Sequence, residues 1–163
     1  MEGLYRPRWT NTIHDEWIGN LLKGRPDLTP ERLDRTRNLM NLAVPDCLVE
    51  GFETLIDGLV LPDPDDRHVL AAAITASAEL IVTYNLADFP ATKLSTFNIE
   101  SQHPDDFLAR LINADADAVC SGVKKHRESL RNPPKTIEEY FGTLAHLSLP
   151  QTVASLAPHS AIL

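Results

Sequence analysis

Two stretches of this 163-residue chain concentrate side chains that could do chemistry. The first is Leu61-Pro62-Asp63-Pro64-Asp65-Asp66, a turn dense in carboxylates that runs into the Ala-rich segment Arg67–Ile74, a good helix former. The second is the polar turn Asn85-Leu86-Ala87-Asp88-Phe89-Pro90, directly after the apolar run Leu80–Tyr84. A continuous β-branched run of this kind suits a parallel strand covered on both faces. In open parallel α/β sheets, sites lie beyond the carboxyl ends of the strands, which is where Asn85 and Asp88 fall. Asp66 stands three, four and seven residues before Val69, Leu70 and Ala73, a phase that aims it at the sheet edge. Carboxylate and amide oxygens meeting there would suit Mg²⁺ or Mn²⁺, which prefer hard ligands. Each residue also has a plainer reading. Asp65 or Asp66 could be a helix N-cap, and Asn85 and Asp88 could be turn formers.

The elements that must position these groups can be read from caps and periodicity. A first helix begins at Thr10 or Asn11, carries Ile13, Trp17 and Leu21 on one face, and ends at Gly24 and Pro26. Thr29 caps a second helix with Pro30 at its first position and Leu33, Arg37 and Met40 on one face. Cys47-Leu48-Val49 reads as a weak strand, Phe52–Leu59 as a short helix and Thr96–Ile99 as a second short strand after Leu80–Tyr84. From His103 onward the chain reads as helical. Helices are expected from Pro104, over about 116–130, from Thr136 with Tyr140, Leu144 and Leu147 inward, and over Gln151–Leu156. Helix, strand, turn and strand in this order predict an α/β domain with a parallel sheet.

Composition bounds the function classes. The net charge is −8, spread unevenly: residues 1–40 hold 7 Lys/Arg against 6 Asp/Glu, residues 41–121 hold 3 against 14, and residues 122–163 hold 5 against 3. A globally basic nucleic-acid binder is excluded as the leading reading, whereas a local carboxylate trap for cations stays open beside plain surface acidity. No apolar run reaches the 18 residues that would suggest a membrane span. The opening MEGLYRPRW has no apolar core of a secretory signal, so a cytoplasmic location is expected. Cys47 and Cys120 lack metal-ligand spacing and read as buried thiols. No Gly-rich phosphate loop is present.

The string LPDPDDRHVLAAAITASAELIVTYNLADFP resembles the third and fourth acidic motifs of PIN domains, the family that includes VapC-type toxins, and RPRWTNTIHDEW resembles the segment bearing that family's glutamate. The likeness runs over residues 3–107 or so. It implies that Glu16, Asp66 and Asp88 are catalytic and that these three, with Asn85, hold Mg²⁺ or Mn²⁺. Asp15 is an adjacent candidate for Glu16 and Asp65 for Asp66. Arg6, Arg8, Lys23 and Arg25 flank Glu16 and could hold RNA phosphates, with solvated surface charge as the plain alternative. His14 and His68 adjoin the motifs but read as surface residues, since Mg²⁺ sites favour oxygen.

The resemblance also implies a three-layer α/β/α fold over residues 1–102, with sheet order 3-2-1-4-5, and a helical extension over 103–163. One departure stands out. The family begins with a strand ending in an aspartate and then a helix, and this chain opens after both; Glu2 does not qualify, because no apolar strand leads to it. The expectation is therefore an N-terminally truncated PIN-like domain. The implied function is a metal-dependent endoribonuclease, the toxin of a toxin–antitoxin pair, active or inactive in this form. RNA would be its substrate, an antitoxin its partner, a homodimer a further assembly, and no membrane would be involved. The alternative is a non-catalytic PIN-fold remnant serving as a protein-interaction module.

Overall fold

Side-chain caps set where the first helices begin. In the computed structural model, which describes residues 3–163, Thr10 is buried and its Oγ1 accepts the Ile13 N–H at 3.1 Å, opening α1 (Asn11–Gly24). Thr29 does the same for Arg32 and opens α2 (Pro30–Ala43), with Pro30 in the first turn, where a missing N–H costs nothing. Met1 and Glu2 lie outside the described residues. Upstream of α1, Trp9 pairs in parallel with Leu48 through Trp9 N–H to Cys47 O and Val49 N–H to Trp9 O, both 2.9 Å. The stretch read as a weak strand is thus a single bridge.

The buried face of α1 lies one residue further on than the periodicity suggested. His14 and Ile18 are buried, Ile13 and Trp17 are half-buried, and Leu21 is exposed. His14, expected at the surface, is 1% exposed because its ring is satisfied on both sides. Its Nδ1 accepts the Trp17 indole N–H at 2.9 Å, so its Nε2 carries the proton and donates it to Asn41 Oδ1 at 3.0 Å. The same Asn41 oxygen accepts the Trp9 indole N–H at 2.8 Å, and the buried Cys47 thiol points at Asn41. Burial without a lone donor is what keeps this polar group tolerable inside.

The chain divides into two compact units. One comprises residues 6–81 and 85–101. Its elements after α2 are α3 (Glu53–Ile56), a 3₁₀ turn (Pro64–Asp66), α4 (Arg67–Thr75), most of β1 (Leu80–Val82), α5 (Ala91–Leu94), a second 3₁₀ turn (Ser95–Phe97) and most of β2 (Glu100–Gln102). Its core packs Phe52, Leu59, Leu61, Ile81, Phe89, Leu94 and Ile99 around Leu70 to Ala73 of α4. Ala71 is wholly buried, and three consecutive alanines leave a slim helix that neighbouring residues can approach closely.

β1 and β2 pair in parallel, with Glu100 N–H to Glu79 O and Thr83 N–H to Gln102 O, both 3.0 Å. The chain is therefore mixed α/β, with a two-stranded parallel sheet among the described residues. The strand expected at Thr96–Ile99 is displaced. Ser95–Phe97 winds as a 3₁₀ turn, Asn98 takes a left-handed conformation at φ 56°, and pairing starts only at Glu100. Asn tolerates that region better than other non-glycine residues, which makes it a turn signal.

The other unit comprises residues 3–5, 82–84 and 102–163. It is built from α6 (Pro104–Ala114), α7 (Ala116–Ser129), α8 (Ile137–His146) and α9 (Pro150–Leu156), closed by a 3₁₀ turn (Ala157–Ile162). Ile112, Val119, Cys120, Leu156 and Leu163 form its core. α8 opens on a capping box in which Thr136 accepts from Glu139 N–H and Glu139 accepts from Thr136 N–H. Tyr140 faces inward as expected, but Leu147 is 54% exposed: α8 ends at His146, so Leu147 no longer follows the helical phase. Among the described residues no helix is long and apolar enough to cross a membrane.

Candidate functional site

The acidic turn is wound so that its carboxylates converge. Asp63 caps the 3₁₀ turn Pro64–Asp66 by accepting the Asp65 N–H at 2.8 Å. With about three residues per turn in a 3₁₀ helix, positions three apart eclipse, and Asp63 and Asp66 share a face. Asp66 leads into α4 but makes no side-chain capping bond, so its carboxylate stays uncommitted to the helix end. Across from them, Asp88 lies in the turn after β1, where Asp88 N–H bonds Asn85 O and the Asn85 side-chain amide donates to the Asp88 carboxylate. Asp63, Asp66 and Asp88 each offer an oxygen within 4.8 Å of the others.

The electrostatics of this cluster are unbalanced. Partial burial lifts the pKa of Asp66 above its ordinary value, and the charges of Asp88, Asp63 and Glu16 push it further in that direction. His68 acts on it in the opposite direction. Among the described residues no Lys or Arg forms a salt bridge with Asp63, Asp66 or Asp88. Three hard oxygen donors without a compensating cation are a donor set that fits Mg²⁺ or Mn²⁺.

The sequence-predicted residues divide as follows. Asp66, Asp88 and Asn85 are brought together, and Glu16 stands close enough for its charge to act on Asp66. Glu16 and Asp66 line an open depression of about 430 Å³, together with Asp15, Gly19, Asn20 and Lys23. Asp15 is ion-paired with Arg37, and Asp65 is exposed and outside the carboxylate cluster. Of the four candidate cations, Lys23 reaches the depression, Arg25 is paired with Asp27 at 2.7 Å, and Arg6 and Arg8 are exposed. Asp63 is the residue that sequence reasoning missed. Its three-residue spacing from Asp66 across Pro64 was the available signal. His68, expected at the surface, is 7% exposed, and its Nε2 lies 2.8 Å from Glu16 Oε1.

Comparison with known proteins adds two matches. The family described as VapC50 C-terminal domain matches residues 104–158, which run from α6 to the end of the α9 region. A Mycobacterium tuberculosis protein named "Putative ribonuclease VapC50" is 37% identical over 89 residues. That alignment takes in 55% of this chain and 52% of the relative, so the chain spans about half the length of the protein it matches. Both matches support kinship with VapC-type proteins. No solved structure matches the chain.

Proposed function

We propose that the Asp63, Asp66 and Asp88 cluster, with Glu16 beside it, is the divalent-cation site of a PIN-like endoribonuclease of the VapC type. The observation that carries this reading is the convergence of three carboxylates within 4.8 Å around an Asp66 whose pKa is raised by burial and then by the charges of its neighbours. The order of the motifs along the chain and the likeness to a relative named as a ribonuclease support it. In this reading the domain boundary stays as expected from the resemblance, a PIN-like α/β/α domain over 1–102 and a helical extension over 103–163.

The chain's own residues have distinct tasks. Asp63, Asp66 and Asp88 would hold Mg²⁺ or Mn²⁺, and the Asn85 amide fixes the rotamer of Asp88 by donating to it. When bound, the cation would supply Lewis acidity toward an RNA phosphodiester and activate a water for attack. Glu16, which lines the depression, would complete the donor set for the cation, and Lys23, which also lines it, would offer a positive charge to a phosphate. The biological setting we infer is a cytoplasmic toxin–antitoxin pair, in which an antitoxin would cover the acidic depression and a second copy could complete the assembly.

Titration of the purified chain with Mn²⁺, followed by incubation with single-stranded RNA in millimolar Mg²⁺, tests this directly. Cation binding should weaken at least about 10-fold in Asp66→Asn and Asp88→Asn, and any cleavage should fall with it. A folded chain that binds no Mn²⁺ and leaves RNA intact sinks the nuclease reading and leaves a non-catalytic interaction module.

A further inference from the structure

The acidic cluster accounts for its carboxylates but not for the buried imidazole beside them. His68 is 7% exposed, yet its Nε2 makes a 2.8 Å contact with Oε1 of Glu16, whose side chain is 48% exposed. The other ring nitrogen, Nδ1, is buried and has no hydrogen-bond partner among the described residues. A proton on Nδ1 would be a buried donor without an acceptor, whereas a proton on Nε2 is accepted by Glu16. The neutral ring is therefore the Nε2–H tautomer, donating to the carboxylate.

Position explains why this bond matters. His68 lies in the first turn of α4, two residues after Asp66, and it is buried there. Glu16 belongs to α1, and without this bond its long, half-exposed side chain would sample many rotamers. A donor fixed on α4 ties that carboxylate to the same helix start that presents Asp66. Outer hydrogen bonds of this kind orient ligands and limit the ordering cost of binding.

We propose that His68 is a positioning residue: its Nε2–H holds the Glu16 carboxylate beside Asp66 and so presets the acidic site for a divalent cation. This rests on the cation site proposed above.

Mn²⁺ affinity of the folded protein, read by electron paramagnetic resonance, separates positioning from packing. His68→Ala should weaken binding about 10-fold, the size typical of removing a partner that orients a metal ligand. His68→Gln, whose amide nitrogen can occupy the Nε2 position, should bind close to wild type, and His68→Asn, whose amide reaches only the Nδ1 position, should behave like His68→Ala. In a Glu16→Gln background the His68→Ala change should add no further loss. Unchanged binding in His68→Ala and His68→Asn, or an equal loss in the Glu16→Gln background, overturns the proposal. Nitrogen-15 shifts of the His68 ring in metal-free protein give an independent reading. They should report the Nε2–H tautomer and move on Glu16→Gln; a ring signal indifferent to that change overturns the bond itself. Failure of the wild-type chain to bind Mn²⁺, with a Glu16-dependent ring signal, overturns the cation site and leaves the bond standing.

Discussion

Asp105 holds Thr152 through three hydrogen bonds: its Oδ1 accepts the Thr152 N–H and hydroxyl, both at 2.8 Å, and its backbone carbonyl accepts the same hydroxyl at 3.4 Å. Its Oδ2 takes the Gln151 N–H at 2.9 Å, so one buried carboxylate on α6 satisfies the free amides that open α9. Burial raises the pKa of Asp105, but the Thr152 and Gln151 donors outweigh it and hold the carboxyl below its usual value. A depressed folded pKa means stabilisation that is complete above the unfolded value and lost as pH falls through the folded one. Asp105→Asn, which must turn an N–H₂ toward one of these donors, should cost about 1–3 kcal/mol. Thermal melts of wild type and variant should converge in strong acid; a constant difference from pH 7 down to pH 2 would contradict the assignment.

Burial and the neighbouring carboxylates act on Asp66 with the opposite sign. Its folded pKa is raised, so the unfolded chain ionises first, and stability is lost as pH rises from the ordinary carboxylate value through the folded one. In chelator, Asp66→Asn should therefore melt above wild type, with the gap wider at pH 7 than at pH 4. Added Mn²⁺ should raise the wild-type Tm and leave the variant nearly unmoved, because only the native state offers the site. A variant that melts below wild type in chelator at pH 7 would contradict the account of burial and like charge at Asp66.

Asn41 carries more than its half-buried position suggests. Replacing it with Leu leaves the Trp9 indole N–H and the His14 Nε2–H without their acceptor. Each orphaned donor costs about 1–3 kcal/mol when buried, and a few kcal/mol is a large part of a domain's stability. Urea unfolding followed by tryptophan fluorescence should show a lower midpoint with an unchanged slope.

Lys23 and Arg25 make a matched pair for testing RNA binding. Lys23 lines the depression beside Glu16 and Asp66, whereas Arg25 is engaged by Asp27, whose pKa is drawn down to about 2 by that partner. Lys23→Gln should weaken binding of single-stranded RNA and reduce the salt slope by about 0.7, the value for one phosphate no longer neutralised. Arg25→Gln should change neither. Equal effects from both would place the RNA elsewhere.

Caps and helical periodicity made most of the helices legible, because Thr10, Thr29 and Thr136 are local signals that tertiary packing did not override. The sheet was harder to read. Glu100-Ser101-Gln102 has no β-branched residue, and it pairs because β1 offers backbone partners rather than because its side chains prefer a strand. At the site, the placements of Asp66, Asp88 and Asn85 followed from phase and turn position. Asp63 was hidden because it lies between Pro62 and Pro64, before the helix, where an aspartate reads as an ordinary turn residue. The histidines were misplaced for another reason: burial of His14 and His68 depends on partners 27 and 52 residues away in the chain.

The two cysteines fall one to each unit, Cys47 at 3% exposure and Cys120 at 2%. A thiol shut away like this reacts with an alkylating reagent only when its surroundings open, so labelling rates measure local opening free energies. The chain thus contains a pair of built-in gauges, one reporting how often the acidic half breathes and the other how often the helical half does. Neither requires an introduced probe.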